Sequence, residues 1–433
     1  MAPTVADNRR VPPAFRYFEL VDESAGRFAF WEIAIDGPTL ELHHGAVGTA
    51  GKHEKETCSS EELARREYEL RIASHLEDGF HEVADRRLDV RTRDLEAAIE
   101  ADPDDVTAYL VYADWIGTLG DPRGGLIVAQ ASGDAAAAAA YLKQYESTFL
   151  GPLAEHVGYD GAIVDPTWRN GFIRRATIRE DGRTRPSRIF EAFLEHASAR
   201  WLGELTITTT DDLADLRAMA RVLASHPLPH LTSLELGEVG ELRDPPLDDE
   251  DDPRHYWHRD PTDLSRIWAS TPALRRLVIR GEAAALGVIA LPRLAHLEMH
   301  VRNLEPDAVA AVAGITGPLE RLELRFLWPL GDLLSEQLLP IFRCPMVRGL
   351  DHLAITGTPS SFLAGANGVC TAIARVSPRS LRTLDLSRGR MSDVGAEALA
   401  ASNLELDLVD VSHTQVSARG ALALEHIAKL VIK

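Results

Sequence analysis

Cysteine is scarce in this sequence. Cys58, Cys344 and Cys370 are the only three in 433 residues, an odd and scattered set with no C-x-x-C pair, so a disulfide framework is excluded and free thiols in a reducing interior are expected. Basic charge is short as well: 46 Lys and Arg stand against 66 Asp and Glu, a formal net charge of -20. That balance opposes nonspecific attraction to nucleic acid or anionic membrane. No apolar run reaches the ~18 residues of a membrane-spanning helix, and Met1-Ala2-Pro3-Thr4 runs into charges and prolines rather than an apolar signal core. A cytoplasmic protein with no membrane partner is expected. P-loop, G-x-S-x-G, dinucleotide-fingerprint and zinc-ligand patterns are all missing. A protein that is not an enzyme, with no cofactor and no metal, is the corresponding expectation.

What is present is a repeated phrase. Leu381-Arg382-Thr383-Leu384-Asp385-Leu386 reads L-x-x-L-x-L, a short strand with apolar residues on one face. The same phrase fits Leu202/Leu205/Ile207, Leu231/Leu234/Leu236, Leu274/Leu277/Ile279, Leu294/Leu297/Met299, Leu319/Leu322/Leu324, Leu350/Leu353/Ile355, Leu406/Val409/Val411 and Ile427/Leu430/Ile432. Most starts are 20 to 31 residues apart, and one interval of 43 marks an insertion. Stretches such as Leu216, Met219, Ala220 and Leu223 read as helices between the strands. Phrase and spacing resemble leucine-rich repeats of the ribonuclease-inhibitor kind over about 172–433. The fold class expected is α/β: a leucine-rich-repeat solenoid, with parallel strands inside and helices outside, preceded by a small α+β domain and a small helical domain.

The α+β domain is read over 14–83, after a flexible leader at 1–13. Arg27–Ile33 and Thr39–His44 alternate as strands around the Asp36-Gly37-Pro38 turn, and Ser59-Ser60-Glu61-Glu62 opens a helix with a serine cap. Leu63, Tyr68 and Ile72 are its expected apolar contacts. Phe30-Trp31-Glu32-Ile33, Gly45-x-Val47-Gly48-Thr49-Ala50-Gly51-Lys52 and the closing Gly79-Phe80 resemble a WGR domain. In DNA-dependent poly(ADP-ribose) polymerases this domain helps contact DNA ends, so the resemblance implies nucleic acid as an alternative partner. The Trp-Gly-Arg that names the family stands here as His44-Gly45-Ala46, and the local positive charge is Lys52, His53 and Lys55.

Residues 84–92 read as a charged linker. The segment 93–164 reads as helical: Asp102-Pro103-Asp104-Asp105 breaks one helix and starts the next. Leu95/Ile99, Tyr112-Ala113-Asp114-Trp115 and Gly120-Asp121-Pro122-Arg123-Gly124, ending at Ile127 and Gln130, resemble the bacterial repeat-companion domain found ahead of leucine-rich repeats. That resemblance implies no catalytic activity. Asp114 is expected to cap or to pair with Arg123, and Trp115 to pack in a helical core.

The array is assigned to 165–433. Ile173/Ala176/Ile178 is read as its N-terminal capping strand. An acidic insertion occupies about 241–263. Asp248, Asp249, Glu250, Asp251 and Asp252 repel one another, so the insertion reads as a projecting loop, a candidate docking or protease-sensitive segment.

The alternate residues of each strand phrase face away from the leucine core. They place Arg276, His296, Arg321 and His352 in one column and Arg280, His300 and Arg325 in a second. Glu298 and Glu323 lie between them, and Val278 and Ala354 share that open face. Two readings follow. One is a self-neutralising ladder of arginine and glutamate. The other is a partner-binding surface, since arginine suits bidentate contacts to carboxylate or phosphate. The function expected is that of a bacterial scaffold or regulatory protein that binds a protein partner on the seven basic residues, with nucleic-acid binding through the WGR-like domain as the alternative.

Overall fold

A computed structural model describes residues 16–22, 27–46, 51–83, 90–157, 163–179, 185–209, 213–238, 262–281, 284–301, 304–326, 334–357 and 365–433. The leader and the acidic run Asp248–Asp252 lie outside these residues. The chain divides into two compact units, one of Met1–Val157, Thr167–Arg174 and Ala192–Trp201, the other of Gly158–Pro166, Arg175–Glu191 and Leu202–Lys433. The first unit therefore includes two stretches that follow 165 in sequence.

The first unit begins with strands β1 (Arg16–Asp22), β2 (Arg27–Asp36), β3 (Thr39–Ala46) and β4 (Lys52–Thr57), helix α1 (Glu61–Glu77) and strand β5 (His81–Val83). The strands form one sheet in the order β4-β3-β2-β1-β5, and neighbouring strands pair antiparallel. Ser60 caps α1 by accepting from the Leu63 backbone N–H at 3.1 Å. Phe18, Trp31, Ile33, Leu42 and Ile72 make the core, with Tyr68 and Phe80 packed against it. Leu63 is not part of it: the residue is exposed, and the face of α1 turned inward carries Ala64 and Ile72.

Helices α2 (Val90–Ala101), α3 (Val106–Thr118), α4 (Arg123–Ala131), α5 (Ala135–Gln144) and α6 (Glu146–Leu150) follow. Asp105 caps α3 by accepting from Thr107 N–H. Ile99, Tyr109, Tyr112, Ile116, Phe172 and Trp201 are among the residues of one buried cluster. Trp115 packs at its edge and donates its indole N–H to Thr92 Oγ1 at 2.7 Å.

Arg123 organises this region, and Asp114 does not pair with it. Asp114 is exposed. The Arg123 guanidinium donates to the Gly171 carbonyl at 2.5 Å and to Ser198 Oγ at 2.9 Å. It also lies over the rings of Phe149 and Phe172. Gln130, two turns further along α4, accepts from the Gly171 N–H through its Oε1 at 2.7 Å. Gly171 has φ +79°, and a Cβ there would meet Ile127 at 2.5 Å. Arg123, Ile127 and Gln130 thus present one face of α4 to the Asn170-Gly171 turn.

The second unit carries most of an eleven-stranded sheet among the described residues. Its strands are β6 (Val164–Arg169), β7 (Phe172–Ile178), β8 (Glu204–Thr209), β9 (Ser233–Glu238), then β11 (Arg276–Gly281), β13 (His296–Val301), β14 (Arg321–Phe326), β15 (His352–Thr356), β16 (Thr383–Asp385), β17 (Leu406–Asp410) and β18 (Ala428–Ile432). A two-stranded sheet pairs β10 (Thr262–Asp263) with β12 (Ala284–Ala285). From β7 to β18 the large-sheet strands pair in parallel with their neighbours in sequence order. Parallel neighbours need a crossover, and the connecting helices are α7 (Pro186–Glu195), α8 (Leu213–Ser225), α9 (Ile267–Ser270), α10 (Pro306–Ala313), α11 (Leu334–Arg343), α12 (Ala366–Val376), α13 (Asp393–Ala400) and α14 (Ala418–Leu424).

The strand leucines form the core. Leu205, Leu234, Leu277, Leu297, Leu322, Leu353, Leu384 and Val409 are all buried. Two sequence expectations shift. The sheet edge is β6, one strand outside the Ile173/Ala176/Ile178 strand expected to cap it. In the last strand, Val431 rather than Leu430 pairs with Val409. A one-residue slip reverses the two faces of a strand, so Leu430 and Ile432 are exposed.

Candidate functional site

The open face of the second sheet holds the charged residues, because a strand alternates its side chains between two faces and the other face is filled with leucine. Parallel pairing aligns Arg276 with His296, His296 with Arg321, and Arg321 with His352. It also aligns Arg280 with His300 and His300 with Arg325. The row between them runs Glu235, Val278, Glu298, Glu323, Ala354 and Asp385. All seven basic residues picked out by their spacing are therefore brought to one surface. Glu235 was missed because its strand phrase, Leu231/Leu234/Leu236, precedes the 43-residue interval. Period two applied to that phrase would have found it.

Carboxylates hold most of these basic groups. Arg276 lies 3.5 Å from Glu235 and 3.3 Å from Glu298, and Arg280 lies 2.9 Å from Glu235 and 3.7 Å from Glu298. These four contacts close a ring over Val278, which is 0% exposed. Val278 faces the open side, as period two requires, but its charged neighbours roof it. His300 Nε2 is 2.6 Å from Glu298 Oε1, and that hydrogen bond holds the Glu298 carboxyl below the usual range. Arg321 is hydrogen-bonded to Glu323. His296 and Arg321 hold the Glu323 carboxyl down to about 2. Burial, followed by the charge of Arg321, lowers His352. Arg325 differs from the rest: it is exposed and has no ion pair among the described residues.

On β9, β11, β13 and β14 four arginines stand against three glutamates, Glu235, Glu298 and Glu323. The arrangement is a neutralised ladder across β9, β11, β13 and β14, with Arg325 as surplus positive charge. Salt bridges of this exposure contribute ~0–1 kcal/mol each, so the ladder fixes side-chain positions more than it stabilises the fold.

The first unit has a separate open cleft of about 450 Å³, lined by Trp31, His44, Glu54, Arg71, His75 and Phe80 among others. His44-Gly45 pairs across the sheet with Trp31 and Phe30. Trp31 stacks on His75 with centroids 3.8 Å apart. Behind the cleft, His43 Nδ1 is hydrogen-bonded to Glu32 Oε2 at 2.6 Å, and its ring stacks on His53. Gly51, at φ +65°, passes over this pair, where a Cβ would come within 2.8 Å of His43 Nε2. Lys55 pairs with Glu41 and Arg71 with Glu56, so these two cations are matched by acids, while Lys52 has no ion pair among the described residues.

No helix among the described residues is long and apolar enough to cross a membrane. No curated protein matches the chain. Among solved structures, a protein from Bacteroides fragilis is 16% identical, covering 97% of this chain and 96% of its own, at a TM-score of 0.43. A WGR domain model matches residues 14–87 and a Leucine Rich repeat model matches residues 377–400. The chain thus carries a WGR domain near its N-terminal end and a leucine-rich repeat in its C-terminal part.

Proposed function

We propose that the chain is a non-enzymatic interaction protein, a cytoplasmic scaffold or regulatory component of a bacterial signalling or defence system. Its second unit is read as a leucine-rich-repeat solenoid, and its helical segment as a repeat-companion domain. The bound partner is a protein whose acidic segment docks on the open face of β11, β13, β14 and β15. One observation carries this reading: Arg325 stands exposed, with no ion pair among the described residues, beside a row of arginines already held in place by glutamate. Held arginines lose little freedom on binding, and a surplus arginine supplies the attraction for a carboxylate. A chain of net charge -20 that gathers arginine on one face favours an acidic partner there over one bound anywhere else.

The test is affinity capture from the source cell with the full chain as bait. Arg276→Glu combined with Arg321→Glu should lose the specific partner. Retention of every partner by that double variant would contradict the assignment.

A second reading, nucleic-acid binding, is favoured by the WGR match over residues 14–87. It requires salt-dependent binding to DNA ends, nicks or RNA. Absence of any mobility shift at near-physiological salt removes it.

A further inference from the structure

The neutralised ladder holds one of its groups only at long range. His296 Nε2 is enclosed and has no hydrogen-bond partner among the described residues. It lies 3.9 Å from Glu298 Oε2 and 3.7 Å from Glu323 Oε1. Those separations are too long for hydrogen bonds. His352 Nε2 approaches the same Glu323 oxygen at 3.8 Å. The four side chains are only 13% to 23% exposed.

We propose that His296, Glu298 and Glu323 form a divalent transition-metal site, with His352 in reach as a fourth ligand. One nitrogen and two carboxylate oxygens all lie within 4.8 Å of one another. A zinc-type ion holds such ligands at about 2.0–2.2 Å, which places them roughly 3.5 Å apart around a tetrahedron. The two gaps from His296, 3.9 and 3.7 Å, therefore need to contract by a few tenths of an ångström, and the gap between the carboxylates, within 4.8 Å, by at most about 1.3 Å. Imidazole with carboxylate suits zinc, cobalt or nickel better than calcium or magnesium, which take oxygen ligands. The strands supply the rigidity: His296 and Glu298 are two residues apart on β13, and Glu323 and His352 follow on the next two strands in register.

Arg276 and Arg321 also hold these carboxylates. They compete with a cation, and the ion must displace or share at least one of their contacts. Glu323 has a second oxygen for that purpose, whereas Glu298 holds His300 through Oε1 and faces Arg276 and His296 through Oε2, so there the ion must displace Arg276 from Oε2. The inference stands apart from the partner-binding reading, because the site is complete within one chain.

The experiment is calorimetric titration of the chelator-stripped full chain with zinc chloride, alongside cobalt titration followed by its visible absorption. The expected result is one ion per chain, tetrahedral cobalt bands, and a rise in the melting temperature with zinc. His296→Ala and, separately, Glu323→Gln should each weaken binding by about tenfold or more. Circular dichroism confirms that each variant is folded, and the near-isosteric Glu323→Gln decides the matter if His296→Ala is not. No heat and no cobalt bands with the wild-type chain would overturn the proposal. So would zinc binding unchanged in the folded variants, which would place the ion elsewhere in the chain.

Discussion

Asn367 and Ser392 lie on successive strand–helix units, and the first caps the helix that follows the second. Asn367 Oδ1 accepts from the Ser392 N–H at 3.0 Å and from the Gly395 N–H at 3.1 Å. Ser392 occupies the N-cap position of α13 but makes no side-chain capping bond of its own. One unit later the relationship recurs, with Asp393 Oδ1 accepting from the Ser417 N–H at 2.7 Å. The start of α13 is thus satisfied by the helix before it, and α14 adds a cap of its own, Ser417 Oγ accepting from the Arg419 N–H, so these units are coupled through hydrogen bonds as well as through leucine packing. Asn367→Ala should lower stability by about 1 kcal/mol, and Asn367→Asp should keep most of it, because aspartate already does this at 393. Denaturant midpoints of the two variants check the prediction.

The leucine frame makes a second prediction. Leu322 is buried between strands, whereas Leu430 is more than half exposed. Leu322→Ala should cost about 2–5 kcal/mol. Leu430→Gln should stay within about 0.5 kcal/mol of wild type. Equal losses in chemical denaturation would restore the frame in which Leu430 faces the core.

Arg123 makes a third. Lysine at this position cannot reach the Gly171 carbonyl and Ser198 Oγ together in a fork. Arg123→Lys should destabilise the first unit by roughly 2–4 kcal/mol, by leaving buried acceptors unmatched. Asp114→Asn, at an exposed residue, should change little. Comparable losses from the two substitutions would revive an Asp114–Arg123 pair.

His196 predicts a pH dependence. Burial, followed by the charge of Arg123, pushes it down from 6.5 to about 4. Its Nδ1 accepts from the Ser198 N–H, which requires that nitrogen to be unprotonated. The unfolded chain therefore binds more protons than the folded one between these values, so stability rises with pH across that interval. The contribution is complete above about pH 6.5 and falls away towards pH 4, by an amount on the order of 3 kcal/mol. His196→Asn should flatten this part of the stability–pH curve. A curve of unchanged slope would show that other groups cause it.

The strands, their parallel register and the basic columns were legible in the sequence because they obey one rule. Period two separates core from face, and a near-regular interval stacks the phrases. Leu277, Leu297 and Leu322, with Arg276, His296 and Arg321 beside them, needed nothing more. What escaped depends on residues distant in sequence. Nothing near Ser392 announces that its N–H is bonded to Asn367. The slip at Leu430 was hidden because Ile427-Ala428-Lys429-Leu430-Val431-Ile432 accepts either frame by hydrophobicity alone. The roofing of Val278 needs Glu235 from across the insertion. The His296, Glu298 and Glu323 cluster has no ligand motif in sequence, since its members come from two strands and meet only through register.

The central claim is that the open face of β11–β15 is the docking surface, and Arg325 tests it most directly because its replacement breaks no ion pair among the described residues. The measurement is the affinity of the captured partner for the wild-type chain and for Arg325→Glu, at two salt concentrations, by surface plasmon resonance. Arg325→Glu should weaken binding by about tenfold, equivalent to ~1.4 kcal/mol, with a shallower salt dependence. Equal affinity and equal salt dependence in the two proteins would contradict it.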